Sequence, residues 1–396
     1  MTKVVVILGA GASHGIVSST QEITDKLLDY AIPQNDDPFS PRYNTNPQTY
    51  FKILQERLGG RVTFEQLLDE ALKQAKGNRH LNDSAPHITA VLQGSYLAAL
   101  TIYEDMEKAR KKQELESSPS VLLLNRLSAS TPLTIGTLNW DSLPLHCSPH
   151  WYDGYIHDDT NESKFDRNFQ EKCEESHYRL FWLHGSIHFN RPSPEELMEN
   201  PRDFAFRWFK DANYALHRWN QGLSSGPMGD LTPQFPVITA GNKPNQLFTR
   251  PFFDYWTTLF KHLLETSALV VIGYSGGDDH LNGLLTEASR YNDRLSLVVW
   301  INKENELNAH VEQKLCSTLA KIFQEPAYLY VNPCTHHGQR VDLNSLDGFQ
   351  EFAHVPTVNH RTTWVYLNGI DHLCQCEDDL RQLEALLENV YLADDS

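Results

Sequence analysis

The sequence lacks the CxxC cysteine pairs that build structural zinc sites, although it contains six cysteines. Zinc modules of this kind need such pairs because two closely spaced thiolates must reach one metal ion. We therefore predict no zinc and no other metal site. The cysteines are expected to be free thiols that pack as small hydrophobic side chains in a reducing compartment.

A hydrophobic run of membrane-spanning length is also missing. The apolar stretch Val4–Leu8 is far shorter than the roughly 20 residues that cross a bilayer. Only Lys3 precedes it as a charge and glycines follow it, which is not the form of a signal peptide. These absences predict a cytoplasmic protein that does not associate with a membrane.

Positive charge is scarce as well, since 34 Lys and Arg stand against 51 Asp and Glu, for a net charge of −17. Extended nucleic-acid interfaces need clustered basic residues that neutralise phosphates. We therefore predict no direct nucleic-acid binding. The length of 396 residues and the 40% hydrophobic content are typical of a globular protein with one enlarged domain or two.

Apolar runs that alternate with helical patterns predict an α/β fold. The predicted strands are Val4–Leu8, 132–138, 178–183, 235–240, Ala268–Ile272, 295–301, 327–331 and 363–367. Most are apolar throughout, which is typical of strands that are buried on both faces of a parallel sheet. We therefore expect a Rossmann-like parallel sheet with helices on both faces.

Two insertions interrupt this pattern. Helical periodicity at Pro47–Leu58, 63–76, 84–113 and 118–127 predicts a helical block inserted at about residues 32–130. Residues 187–233 are rich in Pro, Asn and Arg and predict irregular surface loops or a lid. We expect a catalytic domain over residues 1–331 and a small C-terminal segment, 332–396, which is a candidate interface for an oligomer or a partner.

The first strand leads into a turn of small residues. The turn comprises Gly9, Ala10, Gly11, Ala12 and Ser13, and a Ser19–Glu22 capping box then begins a helix. A strand, a glycine turn and a helix start together favour binding of an anion, here the diphosphate of a dinucleotide. The third glycine of the dehydrogenase fingerprint is replaced by His14, and no acidic residue ends a second strand at the usual spacing. A hydride-transferring Rossmann enzyme is therefore disfavoured.

Small or functional residues follow four of the strands, at 9–13, 139–141, 184–186 and 273–278. Each cluster alone has a structural explanation: glycines make tight turns, Asn and Asp cap helices, and a lone buried histidine is usually structural. Ligands of open parallel sheets, however, bind outside the carboxyl ends of the strands. The four clusters together therefore predict a single site at that edge.

In chain order, these clusters resemble the motifs of the sirtuin family over roughly residues 3–331. Gly9–Ser13 resembles its Gly-Ala-Gly-x-Ser signature, 139–141 its Asn-x-Asp motif, and His184-Gly185 its catalytic His-Gly. Gly273-Tyr274-Ser275 is similar to its Gly-Thr-Ser turn, and Asn302 to the strand-ending Asn near adenosine. The zinc module and the Asp-Phe-Arg run of protein-deacylating sirtuins are missing, the latter replaced by residues 16–20.

The sequence looks more like the sirtuin-like proteins of bacterial antiphage defence. It shares their Gly-Tyr-Ser-x-x-Asp form at 273–278 and a Pro236…Gly241…Lys243 run before an aromatic helix. In that group the activity is destruction of NAD within large assemblies, sometimes beside a separately encoded HerA-like ATPase. The resemblance thus implies NAD as substrate, a homo-oligomer, a partner such as a HerA-like ATPase or translocase, and a role in abortive infection.

The resemblance also implies roles for individual residues. His184 would act as general base, Asn139 would hold the nicotinamide ribose or the attacking water, and Asp141 would orient that pocket or the carboxamide. The NAD-binding residues would be Gly9, Ala10, Gly11, Ala12, Ser13, Gly273, Ser275, Asp278 and Asn302.

The implied reaction is hydrolysis of the nicotinamide–ribose bond through an oxocarbenium-like state. Two alternatives remain open. One is NAD-dependent protein deacylation or ADP-ribosyl transfer, and the other is a non-catalytic NAD-binding scaffold that regulates a partner ATPase.

Overall fold

The computed structural model describes residues 4–29, 47–59, 62–77, 81–192, 198, 205–224, 247–302, 319, 322–323, 329–331, 362–366 and 369–394. The strands within them are β1 (Val4–Leu8), β2 (Leu133–Thr137), β3 (Tyr155–Ile156), β4 (Glu162–Phe165), β5 (Tyr178–Trp182), β6 (Phe189–Asn190), β7 (Arg207–Phe209), β8 (Ala268–Ile272), β9 (Leu297–Ile301), β10 (Leu329–Val331) and β11 (Thr362–Tyr366). Seven of them form one sheet in the order β10-β11-β9-β8-β1-β2-β5, and every neighbouring pair is parallel.

Helices flank this sheet. They are α1 (Thr20–Asp29), α2 (Pro47–Leu58), α3 (Phe64–Gly77), α4 (Leu81–Lys111), α5 (Pro119–Ser130), α6 (Phe169–Glu175), α7 (Ala212–Ser224), α8 (Phe252–Glu265), α9 (Asp279–Tyr291), α10 (Gly369–Gln375) and α11 (Glu377–Asp394). The central strands β1, β2, β8 and β9 are buried at every position, and β1, β8 and β9 have the continuous apolar sequences that favour such burial. The predicted α/β, Rossmann-like fold is thus confirmed.

The helical block lies between β1 and β2, as predicted. Helices α2 to α5 occupy this stretch, and α3 packs closely along α4. Buried apolar side chains on their facing sides, such as Phe51, Leu67 and Val91, join the main core. The predicted helix ends differ from the observed ones by up to three residues, because helix termini carry weaker sequence signals than helix interiors.

The prediction of irregular surface loops at 187–233 is wrong for the described part of that stretch. Residues 205–224 contain β7 and α7, and β6 lies at Phe189–Asn190. These strands join β3 and β4 in a small antiparallel sheet of order β3-β4-β7-β6, with Phe189 and Trp208 buried. Strands of two to four residues are too short to show an alternating pattern.

The C-terminal segment contributes directly to the main sheet. Strand β11 lies between β9 and β10, so the predicted boundary after residue 331 falls within one sheet. The predicted strand at 235–240 and the Pro236…Gly241…Lys243 run lie outside the described residues.

Two expectations from composition bear on the described residues. No helix there is long and apolar enough to span a membrane. Among the six cysteines, four are described and all four are free thiols, with Cys147 and Cys173 buried.

Candidate functional site

The carboxyl ends of the strands form one continuous edge. Backbone hydrogen bonds continue the sheet one residue past these strands. In each, the N–H of the residue after a strand donates to the carbonyl oxygen at or near the end of the neighbouring strand: Leu183 to Thr137, Leu138 to Leu8, Gly9 to Ile272, Gly273 to Ile301, and Asn302 to Tyr366. In the sheet, β2 and then β5 follow on one side of β1, whereas β8 lies on the other side of β1. The crevice between β1 and β8 is therefore the topological switch point, where ligands of such folds bind.

Three glycines join the loops after β1 and β8 at this point. Gly273 has a φ of +64°, and a Cβ on it would lie 2.2 Å from the Ala12 nitrogen. A Cβ on Gly9 would lie 2.6 Å from the Gly273 oxygen, and one on Gly11 would lie 2.8 Å from the Gly273 Cα. The sequence predicted that Gly9 and Gly11 bind a diphosphate and that Gly273 binds NAD, and each of the three also lets two protein loops meet.

The turn after β1 is a 3₁₀ helix, Ala10–Ser13, rather than the direct start of α1. The N–H groups of Gly11, Ala12 and His14 donate to Gly273, Gly9 and Gly11, respectively. These amides are therefore occupied by the protein, and contact with an anion would use the exposed face at Ala10 and Gly11. The predicted Ser19–Glu22 capping box is present, but it begins α1 beyond this turn.

Ser13, Asn139 and Asp141 form a hydrogen-bonded group between the loops after β1 and β2. The Ser13 hydroxyl donates to Asp141 Oδ2 over 2.5 Å, and Asn139 Nδ2 donates to Ser13 Oγ over 2.9 Å and to the Gly9 carbonyl over 3.0 Å. Asp141 Oδ1 accepts from the Leu143 N–H over 3.0 Å. Both Asn139 donors thus face protein, which leaves its side-chain oxygen to accept a hydrogen bond from a ribose hydroxyl or water.

Asp141 is a buried carboxyl, only 2% exposed. Burial raises the pKa of Asp141, although the hydrogen bonds from Ser13 and Leu143 act in the opposite direction. The cavity lined by Ser13, Asn139 and Asp141 has a volume of about 10 Å³, which is room for one water molecule. In this conformation Asp141 therefore positions Ser13 and is not in contact with open space large enough for a nicotinamide ring.

His184 follows β5 at the edge of the sheet, but it reaches the loop after β8. Its Nε2 lies 2.9 Å from Asp278 Oδ2, at ion-pair distance although outside hydrogen-bond alignment. Both side chains are more than nine-tenths buried. Three strand spacings of about 4.8 Å separate β5 from β8, so the two loops fold over the ends of β1 and β2 to meet.

The other oxygen of Asp278 is held by the start of α9. Asp278 Oδ1 accepts from the N–H groups of His280 and Leu281, both over 2.9 Å, as an N-cap residue does. The Tyr274 hydroxyl accepts from the Asp278 N–H and donates to Asn282 Oδ1. These hydrogen bonds connect the loop that carries Asp278 to the start of α9 and place its carboxylate beside the imidazole.

A larger cavity lies on the other side of the switch point, with a volume of about 270 Å³. It is lined by Gly11, His14, Ile272, Gly273, Ile301, Asn302, Gly369, Ile370 and Asp371. The volume is close to the roughly 300 Å³ at which ligand pockets begin, so it suits part of a dinucleotide rather than the whole. Its walls come from the loops after β1, β8, β9 and β11.

The structure separates the predicted site residues into groups. Gly11, Gly273 and Asn302 line the larger cavity, while Ala12, Ser13, Asn139 and Asp141 line the smaller one. Ser275 is exposed in the turn after β8 and lines neither cavity. Asp278, which is also predicted to bind NAD, contacts His184.

Sequence reasoning missed Gly369, Ile370 and Asp371 on the cavity wall. They follow the predicted strand at 363–367, so the strand-end rule that found the other clusters would have found them. It also missed Ser120, whose hydroxyl donates to the Ala12 carbonyl from the start of α5. No local pattern marks that contact, because it joins residues 108 positions apart.

Among the described residues, no group of three or more His, Cys, Asp or Glu side chains could hold a metal ion. In comparisons with known proteins, neither a protein family nor a curated protein matches this chain.

Proposed function

We propose that this protein is an NAD⁺ hydrolase that cleaves the nicotinamide–ribose bond to give nicotinamide and ADP-ribose. The observation that carries the proposal is the buried pair of His184 and Asp278 at the carboxyl edge of the sheet, 2.9 Å apart. A base and the carboxylate that orients it are the parts that a hydrolytic site needs. The adjoining cavity at the switch point supplies a place for the nucleotide.

In this mechanism the protein holds the two halves of the substrate apart. The adenosine half occupies the larger cavity beside Asn302, and the diphosphate lies over the exposed face of Ala10 and Gly11. Asn139 directs its side-chain oxygen to a hydroxyl of the nicotinamide ribose. Asp141 keeps the Ser13 hydroxyl in place through the 2.5 Å hydrogen bond.

Bond cleavage leaves the electron pair of the C–N bond on nicotinamide and a positive charge on the ribose. Water then adds to the anomeric carbon, and His184 removes its proton. A carboxylate beside Nε2 favours the tautomer with the proton on that nitrogen, which makes Nδ1 the proton acceptor. The products are nicotinamide, ADP-ribose and one proton.

One observation favours a second candidate. This is a scaffold that binds NAD and either does not cleave it or cleaves it only after a rearrangement. The cavity beside Asn139 and Asp141 has a volume of about 10 Å³, which cannot admit a nicotinamide ring. Catalysis therefore requires the loops after β1 and β2 to separate. We propose that a partner assembly, such as an oligomer with a HerA-like ATPase acting in antiphage defence, provides that change.

The decisive experiment incubates the protein with NAD⁺ alone and with its genomic neighbour, and measures nicotinamide and ADP-ribose by chromatography. We expect release by the wild type and a loss of about 100-fold or more in His184→Ala and Asn139→Ala. His177→Ala is the matched control, because this histidine is exposed and outside the site. NAD⁺ that binds but stays intact, even with the partner present, would leave the scaffold as the function.

The same assay separates hydrolysis from acyl or ADP-ribosyl transfer. A hydrolase releases nicotinamide with no acceptor other than water, whereas a deacylase requires an acylated peptide. Adding an acetylated peptide should leave the rate unchanged, and mass spectrometry should find no ADP-ribosylated protein. Nicotinamide release that depends on the peptide would instead identify a deacylase.

A further inference from the structure

The C-terminal segment forms one wall of the larger cavity and places a carboxylate there. Gly369, Ile370 and Asp371 line it together with Asn302, which follows β9. Among the described residues that line the cavity there is no Lys or Arg, and His14 comes from the loop after β1. The described part of the wall near β11 thus offers hydrogen-bond acceptors.

The position of Asp371 follows from the turn that precedes it. Gly369 has a φ of +81°, and its N–H donates to the Asn302 carbonyl over 3.0 Å, which ties the start of α10 to the end of β9. Ile370 and Leu373 are buried and anchor the helix to the core. Asp371 remains partly exposed on the first turn, at the cavity.

The cavity has the extent expected of a nucleoside. From β8 to β11 it crosses two strand spacings of about 4.8 Å each, so a ligand whose diphosphate lies at the switch point places its adenosine ribose near β9 and β11. At that position a carboxylate can accept hydrogen bonds from the vicinal ribose hydroxyls. In other dinucleotide-binding sheets, an acidic residue at a strand end accepts the 2′-hydroxyl in the same way.

We propose that Asp371 is a specificity-determining residue that selects the unphosphorylated adenosine ribose and so restricts the site to NAD⁺ over NADP⁺. This inference rests on the proposed function, since it assumes that the cavity holds the adenosine half of the substrate. A 2′-phosphate there would lose the hydroxyl donor and bring about two negative charges against the carboxylate. The net charge of −17 adds to that repulsion.

The experiment measures binding apart from catalysis, by calorimetry with ADP-ribose and with its 2′-phosphorylated form. We expect the wild type to bind ADP-ribose at least tenfold more tightly. In Asp371→Asn, which keeps the shape but removes the charge, the ratio should fall to about threefold or less, because binding of the 2′-phosphate form improves. Asp371→Ser provides a second test with a smaller side chain, and melting temperatures check that both variants fold.

Asp378→Asn is the matched control, because this aspartate is exposed on α11 and does not line the cavity. Its binding ratio should equal that of the wild type. Equal binding of the two ligands by the wild type, or an unchanged ratio in both Asp371 variants, overturns the inference while the proposed hydrolase stands. If neither ligand binds the wild type, the inference and the proposed function both fail, whereas selective binding without NAD⁺ cleavage overturns only the hydrolase.

Discussion

At the scale of residues, the side chains that follow the strands form hydrogen bonds and close contacts with each other. Asn139 donates to Ser13 and Gly9, and Ser13 donates to Asp141. His184 and Asp278 form a second such group across the sheet edge. Substitution of one member therefore changes both the chemistry and the placement of the next, so single-residue losses in activity will not add.

Gly273 offers the sharpest test of how the loops meet. In Gly273→Ala the new Cβ would lie 2.2 Å from the Ala12 nitrogen, at a φ of +64°. We expect the free energy of unfolding to fall by about 3 kcal/mol or more, from the sum of the left-handed strain and the overpacking. Chemical denaturation of the purified variant measures this loss.

Gly283→Ala is the control for that substitution. Gly283 lies within α9, and a Cβ there meets no atom within 4 Å. Removal of a helix-interior glycine should raise the stability by about 0.5–1 kcal/mol. Equal effects of the two substitutions would show that the contact between the β1 and β8 loops is not as close as described.

At the scale of elements, a group of polar side chains joins β3 and β4 near the loop that connects them. His157 Nε2 lies 3.0 and 3.1 Å from the two oxygens of Asp153, and His157 Nδ1 lies 3.2 Å from the Ser163 hydroxyl. Asp153 and Ser163 are buried, whereas the His157 side chain is 46% exposed. The contact between His157 and Asp153 is an ion pair only when the imidazole is protonated.

This group predicts a pH dependence of stability. Burial lowers the pKa of His157, but the hydrogen bond and charge of Asp153 raise it by more, so the pKa lies above its ordinary value. The stabilisation is then complete below the unfolded value near pH 6.5 and is lost as the pH rises through the folded value. Urea titrations over this range should show wild-type stability falling with pH relative to His157→Ala.

His177→Ala serves as the control here too, because His177 is exposed and makes no described ion pair. Its stability should follow the wild type at every pH. A constant difference between the wild type and His157→Ala across the titration would mean that the Asp153 contact contributes no charge-dependent stability.

At the scale of the whole molecule, helix α5 connects the C-terminal segment to the turn after β1. Ser120 at its start donates to the Ala12 carbonyl. On the other side, Arg126 pairs with Glu377 and Glu384 of α11, and the Cys374 thiol donates to the Pro119 carbonyl over 3.2 Å. We therefore expect movement of the C-terminal helices to be transmitted through α5 to the predicted diphosphate turn.

Arg126→Ala should loosen this connection. We expect hydrogen exchange to accelerate in residues 369–394 and in the turn at 10–13, while global stability changes by no more than about 1 kcal/mol, because the arginine is partly exposed. Arg290→Ala removes a comparable exposed pair with Glu287 on α9 and should leave exchange in both segments unchanged. Equal exchange in the two variants would argue against transmission through α5.

The sequence by itself determined the parallel α/β sheet, the inserted helical block and the position of the candidate site residues at strand ends. Continuous apolar runs such as Val4–Leu8 and Ala268–Ile272 have no stable place except between two covered faces, so local composition was sufficient. The short strands β6 and β7 were not predicted, because they form by pairing with strands distant in the sequence. Trp208, for example, pairs with Phe189 and Ser163.

Only the tertiary structure decided which strand ends touch. Strand order depends on packing between segments that are far apart in the sequence, so no local pattern could place Asp278 at His184 or insert β11 between β9 and β10. The same long-range packing places the glycines after β1 in close contact with Gly273 and places Asp371 on the wall of the larger cavity. The sequence thus supplied the chemical groups, and the order of the strands determined which of them can act together.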